Sequence, residues 1–123
     1  MNSEQIALAI AELASDRKAL EIVQLDLRGL TSLADYFVIC TGRSDRQARA
    51  IQEGIQLGLK QEHGIQPTRV DGTGDGNWIL MDYADVIVHV FTPETREFYR
   101  LEHLWGEAPV TKLEFAEPEP AAV

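Results

Sequence analysis

Asp35-Tyr-Phe-Val-Ile-Cys-Thr41 decides the fold. It is apolar at consecutive positions, so both faces of the strand it forms must be covered, and a strand covered on both sides lies inside a sheet. Gly42 ends the run, and Ser44 followed three residues later by Gln47 has the spacing of a capping box, which opens a helix. That helix is expected over Asp45–His63, with Ala48, Ile51, Ile55 and Leu59 as its buried stripe and Gly64 as its C-terminal cap. Ala50, Gly54 and Gly58 form a second stripe of small residues, suited to close packing on the chain's own sheet or to a helix contact in a dimer.

Working outward toward the N-terminus, Asn2 or Ser3 can cap a first helix whose stripe is Ile6, Ile10 and Leu13 and which ends near residues 16–18. Glu21–Leu27 alternates and reads as a strand with Ile22 and Val23 turned inward, broken by Arg28-Gly29. Toward the C-terminus, Pro67–Asp71 is a short edge strand, since Pro67 cannot donate to a ladder. Gly72-Thr-Gly-Asp-Gly76 reads as a turn or mobile loop. Trp78–Tyr83 and Val86–Phe91 form an antiparallel hairpin around Ala84-Asp85. Thr92-Pro93 starts a last helix, with Phe98, Leu101, Leu104 and Trp105 facing inward and Gly106 closing it. The expected order is α-β-β-α-β-β-β-α: a small mixed α/β domain with about five strands flanked by helices, spanning 1–109. Residues 110–123 are expected to be a flexible acidic tail, because Glu117-Pro-Glu-Pro-Ala-Ala-Val has little to bury.

The bulk composition narrows the function. A chain of 123 residues fits one domain. No apolar run approaches the roughly 20 residues that span a bilayer, and the N-terminus lacks a basic region before its apolar residues, so the chain reads as cytosolic. The single cysteine, Cys40, lies in the apolar strand and reads as an inert buried thiol. The net charge is −9 and lopsided. Residues 1–61 carry eight acids against seven Lys/Arg, and residues 62–123 carry twelve against four. Such a balance disfavours direct nucleic-acid binding, which needs a basic footprint, and suits a basic protein partner.

No catalytic constellation stands out. Gly42-Arg43-Ser44 lies between a strand and a helix, where an anion can bind, but the P-loop spacing and its Lys-Ser/Thr are missing. The turn resembles the glycine–serine turn of nucleotidyltransferases. Those enzymes also need two carboxylates one residue apart on a strand; Asp82 and Asp85 are three apart, which sends them to opposite faces. His63, His89 and His103 have no ligand spacing, and His89 reads as a hydrogen-bonded structural residue. No cofactor or metal is expected. What remains is a set of large amphipathic residues in the acidic half, Trp78, Tyr83, Tyr99 and Trp105; some must bury, Trp105 reads as core, and Trp78 is the best placed for an interface.

Two stretches carry a family resemblance. Leu30-Thr-Ser-Leu-Ala-Asp-Tyr-Phe-Val-Ile-Cys-Thr-Gly-Arg-Ser44 with Gln47 is the first. Trp78-Ile-Leu-Met-Asp-Tyr-Ala-Asp-Val-Ile-Val-His-Val-Phe91 followed by Arg96-Glu-Phe-Tyr-Arg-Leu-Glu-His-Leu-Trp105 is the second. Both resemble the ribosomal silencing factors, also called the Iojap-related family, over residues 3–109. The chain departs at Ala84, where the family usually has Gly, and at Asp71-Gly72, where Glu-Gly is common. The resemblance implies a nucleotidyltransferase-like fold without the catalytic carboxylates, no enzymatic activity and homodimers when free. It also implies binding to the large ribosomal subunit through its basic protein number fourteen, which blocks joining of the small subunit. The expected contact residues are Trp78, Leu80, Asp82, Tyr83, Asp85, Arg96, Phe98 and Tyr99. A nucleotidyltransferase-like enzyme and a dimeric adaptor for another basic protein are the alternatives.

Overall fold

A computed structural model describes residues 1–115. Its sheet has six strands in the order β3 (Arg69–Asp71), β4 (Trp78–Asp82), β5 (Val86–Phe91), β2 (Tyr36–Thr41), β1 (Leu20–Asp26), β6 (Val110–Lys112), and β2 lies inside it as its apolar run requires. All six residues of β2 (Tyr36–Thr41) are buried. On one side β2 pairs antiparallel with β1 (Leu20–Asp26), and on the other it pairs parallel with β5 (Val86–Phe91). A parallel neighbour needs a long crossover. Here the crossover holds α2 (Asp45–His63), β3 (Arg69–Asp71) and β4 (Trp78–Asp82), the last two joined antiparallel to β5.

Strand alternation splits the core in two. Tyr36, Val38 and Cys40 of β2 with Val86, Val88 and Val90 of β5 meet α2 and the first helix, α1 (Ser3–Asp16). Phe37, Ile39 and Phe91 turn to the opposite face, where Leu101, Trp105 and Ala108 cover them. Ile22 and Val23 are both buried, as expected, but on opposite faces, beside a bulge at the start of β1 where Glu21 takes φ +47°.

The helix ends follow local chemistry. Asn2 and Gln5 form a reciprocal capping box on α1. Ser44 Oγ accepts from Gln47 N, while Gln47 Oε1 reaches one residue further back and accepts from Arg43 N at 2.7 Å. Gly42 must lack a side chain, because a Cβ there would sit 2.7 Å from Ala48 N. The small stripe of α2 packs on α1 rather than on the sheet. A Cβ at Gly54 would meet Arg17 and one at Gly58 would meet Leu13, so the stripe receives the end of α1.

Of the two readings of Gly72–Gly76 the turn holds: Gly76 N donates to Gly72 O at 2.9 Å, and Arg49 Nε and Nη2 donate to Thr73 O and Gly74 O at 2.8 and 2.9 Å. Two expectations need correction. The last helix is split into α3 (Pro93–Tyr99) and α4 (Leu101–Leu104) by Arg100, whose φ of +48° lies in the left-handed region. The break turns Leu101 inward and leaves Phe98 and Leu104, expected inside, 79% and 75% exposed. Finally, the domain does not stop at 109. Val110–Lys112 form β6, antiparallel to β1, and Leu113 N donates to Ile22 O. Every side chain of β6 is exposed, so the strand is held by main-chain bonds and leaves no apolar alternation to read. The rest of the expected tail, 116–123, lies outside the described residues.

Candidate docking surface

Alternation along β4 buries Ile79 and Met81 against α2 and turns Trp78, Leu80 and Asp82 to the other face, each half-buried. On that face α3 covers only the end of the sheet nearest Thr92. Tyr99 packs on Trp78 with ring centroids 4.7 Å apart, and Phe91 lies beneath the same indole at 5.0 Å. Phe98 leans edge-on against Tyr99 at 5.0 Å and projects into solvent. Trp78, Leu80, Phe98 and Tyr99 therefore share one surface, apolar and aromatic in character. Ile87 belongs to it as well: it pairs with Asp82 in register and is half-buried on the same face. Strand alternation with His89 would have disclosed it.

The acidic rim comes from the hairpin end. Asp82 is half-buried and Asp85 exposed, while Asp82 Oδ1 accepts from Ala84 N at 2.8 Å. That bond holds a turn in which Ala84 takes φ +69°, closed by Tyr83 N donating to Val86 O.

Two of the expected contact residues face elsewhere. Tyr83 is 6% exposed and packs in the α1–α2 core, and burial pushes its phenol up to about 12. Arg96 is committed inside the chain, its side chain 12% exposed. Its guanidinium donates to Glu21 O at 2.7 Å, Thr41 Oγ1 at 2.9 Å and Glu102 Oε1 at 3.0 Å, tying α3 and α4 to β1 and β2.

The groups that suggested chemistry have structural occupations. Cys40 is fully buried, and desolvation pushes its thiol up to about 12. The α2 N-terminus is furnished by Ser44 and Gln47, and the Gln47 amide also donates to Lys18 O at 3.1 Å. His89 is buried, and its Nδ1 accepts from Trp78 Nε1 at 3.0 Å, the hydrogen-bonded structural role expected of it.

Comparison with known proteins gives the family of the chain. A family model described as "Ribosomal silencing factor during starvation" matches residues 1–122. The chain belongs to the ribosomal silencing factor family. The family's Bacillus subtilis member is 42% identical over 115 residues, covering 94% of this chain and 97% of its own. The maize chloroplast protein Iojap is 36% identical over 110 residues, which cover 89% of this chain and 47% of the plant protein. A crystal structure of a Chromobacterium violaceum protein superposes with a TM-score of 0.83 at 33% identity, covering 100% of this chain and 95% of that one. A Bacillus halodurans structure follows at 0.78 and 34%, with 90% and 100% covered. The family resemblance and the mixed α/β class read from the sequence therefore hold.

Proposed function

We propose that this chain silences ribosomes by docking on the large subunit, with Trp78, Leu80, Phe98 and Tyr99 at the centre of the contact and Asp82 and Asp85 at its rim. The partner is a basic protein of the subunit-joining face, number fourteen in the ribosomal naming. Repression is steric: the docked domain occupies a surface the small subunit needs, and no bond is made or broken. The observation that carries the reading is the pairing of an aromatic cluster, exposed Phe98 and Tyr99 beside half-buried Trp78, with an acidic half of net charge −8 (twelve acids against four Lys/Arg over 62–123). Exposed aromatics are the usual energetic centres of protein interfaces, and opposite charge around them speeds encounter with a basic surface. The curated bacterial relatives are named ribosomal silencing factors, which supports the same role. The free chain is proposed to be a cytoplasmic homodimer, which sedimentation velocity would test.

Cosedimentation with isolated large subunits, small subunits and joined ribosomes is the decisive experiment. Binding to large subunits alone, with fewer joined ribosomes formed, is expected. Failure to pellet with large subunits would overturn the reading. Binding to large subunits without binding to their purified protein number fourteen would overturn the choice of partner.

A further inference from the structure

We infer that His89 is a positioning residue for recognition: it holds the hydrogen-bonding edge of the Trp78 indole inward, so that Trp78 meets its partner as an apolar plate with no free donor. The inference rests on the docking reading above and adds to it the chemistry of the central contact.

Trp78 pairs with Phe91 across the β4–β5 ladder and Leu80 pairs with His89, so His89 stands diagonally beside Trp78 on the same face. The indole N–H points along the sheet to His89 Nδ1 at 3.0 Å. Phe37 packs against the imidazole with ring centroids 4.6 Å apart, and Phe91 stacks alongside at 6.1 Å. The imidazole is 4% exposed, so neighbouring rings hold its orientation. An accepting Nδ1 requires the neutral ring with its proton on Nε2. That Nε2 is buried and has no hydrogen-bond partner. A buried donor without an acceptor is destabilising. A phenyl ring at position 89 would fill the same space without that cost. What the imidazole adds is the acceptor for Trp78.

The consequence concerns the partner. Trp78 keeps its one donor inside and is flanked by Phe91 and Tyr99, so it offers only ring surface. The fitting contact is an aliphatic side chain or the methylene stem of a Lys or Arg laid across the ring.

The test combines indole N–H spectroscopy of the isolated protein with large-subunit binding, using His89→Phe, which removes the acceptor, and His89→Asn, whose side-chain oxygen restores one near Nδ1. The Trp78 indole resonance is assigned by its survival in Trp105→Phe. In His89→Phe the Trp78 proton should move upfield and exchange faster with water, and affinity for large subunits should fall on the order of tenfold, as for loss of an interface anchor. His89→Asn should recover much of both. An unchanged indole resonance in folded His89→Phe overturns the inference, as does a shifted resonance with unchanged affinity. Should His89→Phe not fold, wild type decides: a Trp78 indole proton exchanging as fast as in the urea-unfolded chain overturns it. If wild type fails to bind large subunits, the docking reading falls and the recognition role of His89 falls with it. An altered indole would then still report the hydrogen bond, so the two failures are distinguishable.

Discussion

Phe98 separates folding from recognition at the scale of a single residue. It is 79% exposed and its one ring contact is with Tyr99, so Phe98→Ala should leave the melting transition within about 0.5 kcal/mol of wild type. Large-subunit affinity should nonetheless fall by more than about 1 kcal/mol if it lies at the centre of the contact. Thermal unfolding and cosedimentation of one preparation check both. His89, by contrast, also bears on stability, through pH. Burial pulls its pKa from 6.5 down to about 4. The unfolded chain therefore takes up a proton below pH 6.5 that the folded chain refuses until about pH 4. Stability is unaffected by this group above pH 6.5 and falls as pH drops toward 4, by up to about 3 kcal/mol. Urea titrations should show that loss in wild type and not in His89→Phe.

Among the helices, α3 and α4 are the least secured by burial: neither buries a side chain of its own except Leu101. Arg96 supplies the attachment instead. Arg96→Met removes the donors to Glu21 O, Thr41 Oγ1 and Glu102, and should cost about 2–3 kcal/mol. Because α3 carries Phe98 and Tyr99, subunit binding should weaken as well; amide exchange would show α3 opening before the sheet does. The β4–β5 turn offers a gain. Ala84 holds φ +69°, a region that is unfavourable for any residue with a Cβ, so Ala84→Gly should stabilise the chain by about 0.5 kcal/mol in chemical denaturation. Elements with strong periodicity were legible in the sequence: α2 occupies 45–63 with its stripe as read, and β2 and β5 fall where their apolar runs place them. What escaped lacked a local signal. β6 buries no side chain, and the bend at Arg100 is a left-handed residue that is not glycine, so neither left a mark in the pattern. Of the surface, the outward side of β4 could be read by alternation from Trp78. The internal role of Arg96 could not, because its partners at Glu21 and Thr41 are 75 and 55 positions away in the chain.

At the scale of the whole molecule, charge asymmetry is the dominant feature. The half bearing the hairpin and α3 carries nearly all of the net −9. Attraction to a basic partner acts over a distance that shrinks from about 8 Å at physiological salt to about 3 Å at 1 M. The association rate with large subunits should therefore fall by about tenfold or more as salt rises across that range, with a smaller change in dissociation. Stopped-flow fluorescence of Trp78 in a Trp105→Phe background would separate the two rates. Among the described residues, no helix is long and apolar enough to cross a membrane.

The parallel pairing of β2 with β5 also governs the order in which the molecule can assemble. Tyr36 meets Val86 and Thr41 meets Phe91, so each contact closes a loop of 50 residues. The β1–β2 hairpin is local and can form early, but the apolar second edge of β2 stays open until β5 has been made and inserted beside it. Long loop closures are slow, and open apolar edges are sticky while they last. A chain cut short before residue 86 would keep α1, α2 and the first hairpin but have nothing to seal that edge. It is the incomplete protein, rather than the finished one, that should depend on a chaperone.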